Sequence, residues 1–497
     1  MIAADRGIVR AIFLLHRYLG IAVGGLMLVW CLSGMVMVYV PYPALPEAER
    51  LSALADLDLR DCRLFPGAGQ LGDAAPIDAA ALEMLAGRPV LDLRSAGVSR
   101  WFDLRTGQVL GIVDPGEAAS AAELFRHARG IAEPAPPPAR IVDDQWTVAG
   151  GFNADRPLYK FDFADPAGTE IYVSSRSGRI IQATDARQRF WNRLGAVPHW
   201  LYVTALRRNP ALWTTVVVWT SLIGCFLTAT GLYAGISQFR RRPAGRLSPY
   251  RGMLLLHHVP GLFFGVLTLS WVASGLISMN PWGFLGQDGS RAETALIEGA
   301  QPRWTDLRAA LRAVVAAAPS GRWKSLSLAP LDGHIFLVAA GADGARIRFD
   351  AGGSAAPLSQ AELGRIGAAV GADSSPILRR EEDDFYYARG DAPAALPVYR
   401  VSEGGGTLLY LDPVSGAILR RIDPAARWYR WLHDGPHRLD FVAPLRRHPV
   451  RDLILPLLAG AGFVSGTGTW LALRRTWKLP GELRTAWRRA RSAPRIR

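Results

Sequence analysis

The chain has 497 residues, 49% of them hydrophobic, and a formal net charge of +14. The positive excess does not point to nucleic acid: residues 1–10, 237–251 and 474–497 hold 16 Lys or Arg against two acids, Asp5 and Glu482, and the remaining chain is balanced. Cys31, Cys62 and Cys225 form no C-x-x-C, which excludes covalent c-type haem attachment and argues against disulfide staples and Cys-ligated iron–sulfur clusters.

Four apolar runs, 19–40, 211–235, 253–279 and 453–473, reach the roughly 20 residues that a bilayer-spanning helix needs. The first is too long for a signal-peptide core, and no clear cleavage site follows it. In chain order the spacing predicts an N-terminus with the first span (1–40), an extramembrane region (41–190), an interfacial helix with the second span (191–236) and a loop (237–251). The third span (252–280), a second extramembrane region (281–426), an interfacial helix with the fourth span (427–473) and a basic tail (474–497) follow. The three basic segments fall on one side of the four spans, which is a positive-inside signal. Both termini are therefore expected in the cytoplasm of a bacterial inner membrane, and both large regions in the periplasm. The tail "RTAWRRARSAPRIR" also suits contact with anionic lipid.

The sequence repeats itself. Placing residue n on n + 241 sets "RAIFLLHRYLGIAVGGLMLVWCLSG" over "RGMLLLHHVPGLFFGVLTLSWVASG", with 11 of 25 positions identical, among them His16/His257, Gly20/Gly261, Gly24/Gly265, Ser33/Ser274 and Gly34/Gly275. "FWNRLGAVPHWLYVTALRRNP" likewise matches "WYRWLHDGPHRLDFVAPLRRHP", which pairs His199 with His437. Asn209-Pro210 reads as a helix start, Asn as N-cap and Pro at the first helical position. The fold expected is an α-helical membrane protein with four transmembrane helices in tandem parallel duplication and two α+β periplasmic domains. Turns such as "VSSRSGRII" and "LDPVSGAIL" carry hairpin chemistry, and they suggest two small modules per region, four in total.

Of nine histidines, four are matched between the copies: His16 with His257 at the cytoplasmic end of the first and third spans, and His199 with His437 just ahead of the second and fourth. His16, Gly20 and Gly24 share one helix face, as do His257, Gly261 and Gly265. A histidine beside bare backbone leaves room for a flat macrocycle, and a bis-histidine haem needs one neutral imidazole from each side. The plainer readings are an interfacial polar residue and, for the glycines, a helix–helix contact; they do not account for two matched histidines. His433 is an alternative to His437, and His258 to His257. His127, His334 and His448 read as surface residues. The run "REEDDFYYARGD" (380–391) suits a hard ferric ion, although a solvated strand or turn is the commoner explanation. No P-loop, HExxH or dinucleotide fingerprint is present.

At "LLHRYLGIAVGGLMLVWCLSGMVMVY" and "WLHDGPHRLD…RRHP" the chain resembles the PepSY-associated transmembrane family, and the "LY.LD..SG.IL" hairpins look like PepSY modules. The resemblance covers nearly the whole chain. It implies likeness to inner-membrane ferric-siderophore reductases, with haem b in the bundle, two in number, and His16, His257, His199 and His437 as axial iron ligands. A haem-containing oxidoreductase is thus expected, taking electrons from an unidentified donor to a ferric siderophore or other ferric chelate and releasing ferrous iron. The alternative is a non-enzymatic PepSY membrane protein that binds or regulates periplasmic peptidases.

Overall fold

The computed structural model describes residues 2–67, 70, 75–240, 245–286, 289–317, 323–383, 385, 386 and 395–492. The chain forms two units: Met1–Pro41, Trp191–Gly286 and Arg427–Arg497 make a helical one, and Tyr42–Phe190 with Gln287–Ala426 make a sheet-rich one.

Four helices of the first unit are long and apolar enough to cross a membrane: Gly7–Met37, Pro210–Arg240, Met253–Ser278 and Val450–Trp477. The second starts where the sequence predicts, with Asn209 Oδ1 accepting from the Leu212 N–H at 3.0 Å. The first packs on the second and fourth, and the third packs on the same two, so the first and third stand diagonally across a four-helix ring. Small residues set how closely the helices approach. Ala461 is fully buried, and a Cβ at Gly224 would come within 3.0 Å of both Met27 and Val272. Val29, Leu32, Phe226, Phe263 and Val266 are exposed on the outer faces, as expected of helices whose backbone is satisfied internally and whose side chains meet lipid.

The sheet-rich unit holds fifteen described strands. The first region supplies β1 (Ala79–Leu85), β2 (Arg88–Ser95), β3 (Val98–Asp103), β4 (Gln108–Val109), β5 (Ala139–Ile141), β6 (Leu158–Asp162), β7 (Glu170–Ser174) and β8 (Ile180–Thr184). The second supplies β9 (Ser325–Leu328), β10 (Phe336–Ala340), β11 (Arg346–Asp350), β12 (Ile377–Arg379), β13 (Val398–Glu403), β14 (Thr407–Leu411) and β15 (Ile418–Ile422). Instead of four separate modules there are three antiparallel sheets: β5-β6-β7-β8, β12-β13-β14-β15 and a seven-stranded β11-β10-β9-β1-β2-β3-β4. The last draws on both regions because β1 and β9 pair, Leu82 opposite Leu326. Two edges that would each be an aggregation hazard close on one another, over a shared core in which Trp304, Leu307 and Leu311 of one region meet Leu82, Leu91 and Phe102 of the other.

The two four-stranded sheets are built alike. A helix with a capping box precedes each, Pro115–Arg129 with Asp114 and Glu117, and Gln360–Ala369 with Ser359 and Glu362. Each carries a bulge, at Tyr172/Val173 and at Tyr410/Leu411, and each buries a tyrosine whose hydroxyl donates to a turn aspartate: Tyr172 to Asp144 at 2.7 Å and Tyr410 to Asp383 at 2.6 Å. Asp383 is thus consumed by a turn, accepting also from the Phe385 and Tyr386 N–H groups and from Arg400. Positions 384 and 387–391 of the acidic run lie outside the described residues.

Burial alone would raise the Asp383 carboxyl, but these donors, Tyr410 foremost, hold it below the usual aspartate range. The stability it lends is present above about pH 4 and is lost as pH falls through its lowered value. In urea titrations followed by tyrosine and tryptophan fluorescence, Asp383→Asn should lower the midpoint at pH 7 and flatten its decline below about pH 4. An unchanged acid limb would assign that decline to other groups.

Candidate functional site

The four matched histidines meet in two pairs. His16 faces His257 with ring centres 6.3 Å apart and planes 30° from parallel. His199 faces His437 at 6.1 Å and 72°. The first pair spans the diagonal of the ring. The second, which comes from the short helices Ala196–His199 and Gly435–Arg438, meets the first and third long helices at Ser33-Gly34 and Ser274-Gly275. Those serines stand 17 residues beyond His16 and His257, about 25 Å of helix rise, against a hydrocarbon core of about 30 Å.

The hydrogen bonds fix the tautomers. His16 Nδ1–H donates to the Leu227 carbonyl at 2.9 Å, and His257 Nδ1–H to the Val464 carbonyl at 3.2 Å. A carbonyl only accepts, so the proton is on Nδ1 and Nε2 keeps its lone pair. Ser33 Oγ donates its own proton to Val29 O at 2.6 Å, which leaves His199 Nδ1–H as the donor to Ser33 Oγ at 3.0 Å. His437 Nδ1–H is shared between Ser274 Oγ at 3.1 Å and Trp271 O at 3.2 Å. In all four rings the Nε2 atoms carry the free lone pairs, and none has a hydrogen-bond partner among the described residues.

Glycines cradle every ring. A Cβ at Gly231 would lie 2.6 Å from His16 Cε1, and one at Gly468 would lie 2.9 Å from His257 Cε1; at Gly34 and Gly275 the distances to His199 and His437 are 3.5 Å. Gly231 and Gly468 close the similar segments "LTATG" (227–231) and "VSGTG" (464–468). The predicted stripe glycines do something different. A Cβ at Gly20 would touch Leu227 and one at Gly261 would touch Val464, at 3.8 and 3.7 Å. These are the residues whose carbonyls receive the histidine N–H groups, so each glycine lets its helix come close enough for the ring one turn away to reach. Gly24 faces Thr469, and Gly265 faces Leu232 at 2.9 Å.

The two alternatives separate differently. Both nitrogens of the buried His258 are engaged, with Ser248 Oγ at 2.8 Å and Gly235 O at 2.8 Å, so it offers no lone pair, whereas His257 does. His433 stacks on His437 at 4.9 Å and 29°, with Nδ1–H on Ser274 O at 2.8 Å and Nε2 3.8 Å from Asp434 Oδ1. It sits in a π-helical turn, Arg430–Asp434, a distortion frequent at functional sites. Its counterpart Gly195 admits no side chain, since a Cβ there would meet Val36 at 2.9 Å. Each short helix ends on a leucine in the left-handed region two residues past the histidine, Leu201 (φ 51°) and Leu439 (φ 60°), conformational strain of the kind that clusters at ligand sites. His127, His334 and His448 are exposed, as predicted.

Two facing imidazoles that share one metal through bonds of about 2 Å place their ring centres about 6.3 Å apart. Both pairs match that spacing. His433 and His437 are too close together to flank one iron. Two neutral imidazoles with outward-held Nδ1–H groups are the donor set that haem iron takes, and those second hydrogen bonds fix ring orientation. No family model matches the chain, and no curated protein matches it.

Proposed function

We propose that this chain is a tandemly duplicated inner-membrane protein of the PepSY-associated transmembrane type that holds two b-type haems and passes electrons across the membrane to a ferric siderophore or other ferric chelate. One haem is held by His16 and His257, the other by His199 and His437. Both termini are cytoplasmic, and the sheet-rich unit is periplasmic. The observation that carries this reading is the spacing and tautomer of the two pairs: ring centres 6.3 and 6.1 Å apart with every Nε2 free. Haem, when bound, supplies reversible one-electron transfer. The chain aims the four Nε2 atoms through Leu227 O, Val464 O, Ser33 Oγ and Ser274 Oγ, and keeps the sites about 25 Å apart along the helices. Hard-oxygen chelates hold ferric iron more firmly than ferrous, so reduction favours release.

The four apolar runs carry no Asp, Glu or Lys, which speaks against an ion-coupled transporter. A visible spectrum of the purified protein tests the proposal. A b-type Soret band with sharp α and β bands on reduction is expected, at two haems per chain. A folded but colourless protein would overturn it and leave the peptidase-regulator reading.

A further inference from the structure

The sheet-rich unit contains a cavity of ≈ 330 Å³ lined by residues of the second region. The pocket opens partly to solvent, with Arg346 and Ala417 of its wall exposed, so its depth needs an account. The corresponding place in the first region supplies one. Strand pairing sets Leu91 opposite Leu82 and Asp92 opposite Ala81, just as it sets Leu337 opposite Leu328 and Val338 opposite Ser327. Asp92 therefore corresponds to Val338, and Glu83 to Ala329. Gly178 and Gly416 end matching Ser-Gly turns with φ of 75° and 79°, so Arg179 corresponds to Ala417. Arg50 and Thr294 each precede by three residues a buried side chain, Ala53 and Ile297, of the adjoining four-stranded module's core.

In the first region these four positions form a filled ionic cluster. Glu83, only 3% exposed, is held by Arg50 at 2.6 Å and by Arg179 at 3.1 Å, and Arg179 also lies 3.9 Å from Asp92. In the second region the same positions are Thr294, Ala329, Val338 and Ala417, and all four line the cavity. The pocket thus lies where the first region places a charged cluster.

Its charge indicates the occupant. Arg346 at the wall is tied to Asp412 at 2.5 Å. The Glu298 carboxylate, also in the wall, has no side-chain partner among the described residues, and burial raises it above the usual glutamate range. We propose that this cavity binds a small organic cation with an apolar body, the head against Glu298 and the body against the Ala329–Val338–Ala417 wall, in place of the arginine that fills the other region. The site is separate from the histidine pairs and does not depend on haem binding.

The test uses the full-length protein in detergent and isothermal titration with benzamidine, an amidinium on an apolar ring. Saturable binding is expected, with benzamide and benzoate weaker by about tenfold or more. Glu298→Gln should weaken benzamidine by about tenfold and leave benzamide unchanged. Ala417→Arg should abolish binding while the melting temperature holds. If Ala417→Arg disturbs folding, Glu298→Gln alone decides. Absence of saturation, binding of benzoate as tightly as benzamidine, or full affinity in the Glu298→Gln variant overturns the proposal.

Discussion

With one haem proposed at each histidine pair, His16→Ala should cost about half of the bound haem, and His16→Ala combined with His199→Ala nearly all of it. The reason is geometric. Each pair sets two rings with unbonded Nε2 atoms at a spacing that suits one shared iron, ring centres 6.3 and 6.1 Å apart. Removing one imidazole would leave that site with one of its two ligands, while the other pair keeps its own hydrogen bonds about 25 Å away. Pyridine-haemochrome analysis per mole of protein reads the loss. Redox titration should show one of two components vanish and the other keep its potential. His258→Ala is the contrast: both of its nitrogens are already bonded to Ser248 and Gly235, so haem content should hold while stability drops. A single variant that empties both sites would mean one cooperative cofactor site, and His16→Ala at full haem content would remove that pair from the scheme.

Gly231→Leu should act as strongly as loss of a ligand, although Gly231 has no chemistry of its own. A Cβ there would stand 2.6 Å from His16 Cε1 and 2.9 Å from His16 Nδ1, inside contact distance. The ring must swing away and give up Leu227 O. Overpacking of this kind costs about 1–3 kcal/mol, and the displaced imidazole no longer faces His257. Gly468→Leu should do the same to His257, whereas Gly25→Ala, with nothing within 4 Å, should be silent. Haem content and the low-spin absorption bands distinguish the outcomes. If Gly231→Leu lowers the melting temperature but keeps full low-spin haem, the glycine serves helix packing alone.

Much of this arrangement was legible in the chain itself, because a repeat supplies its own control. Matching His16 to His257 and His199 to His437 picked out four histidines of nine, and the apolar runs predicted four helices of spanning length with starts such as Asn209-Pro210. The roles of the glycines were not legible. Periodicity puts Gly20 and Gly24 on the face of His16, but only the packed bundle shows Gly20 against Leu227 and assigns the cradle to Gly231 on another helix. Choosing His257 over His258 likewise needed the hydrogen bonds of Ser248 and Gly235, groups 10 and 23 residues distant.

The sheet-rich unit marks the same boundary. Hairpin turns and alternation are local, so the strands of each module are visible in its own sequence. Which free edge meets which is a long-range matter. Nothing in "AAALEML" announces that β1 pairs with β9, more than two hundred residues on. Composition and repeats determined four membrane-length helices, the matched histidines and the α+β character. Tertiary structure alone decided the seven-stranded sheet, the tautomer of each imidazole and the cavity beside Glu298. Those depend on contacts between segments remote in sequence, and local propensity carries no record of them.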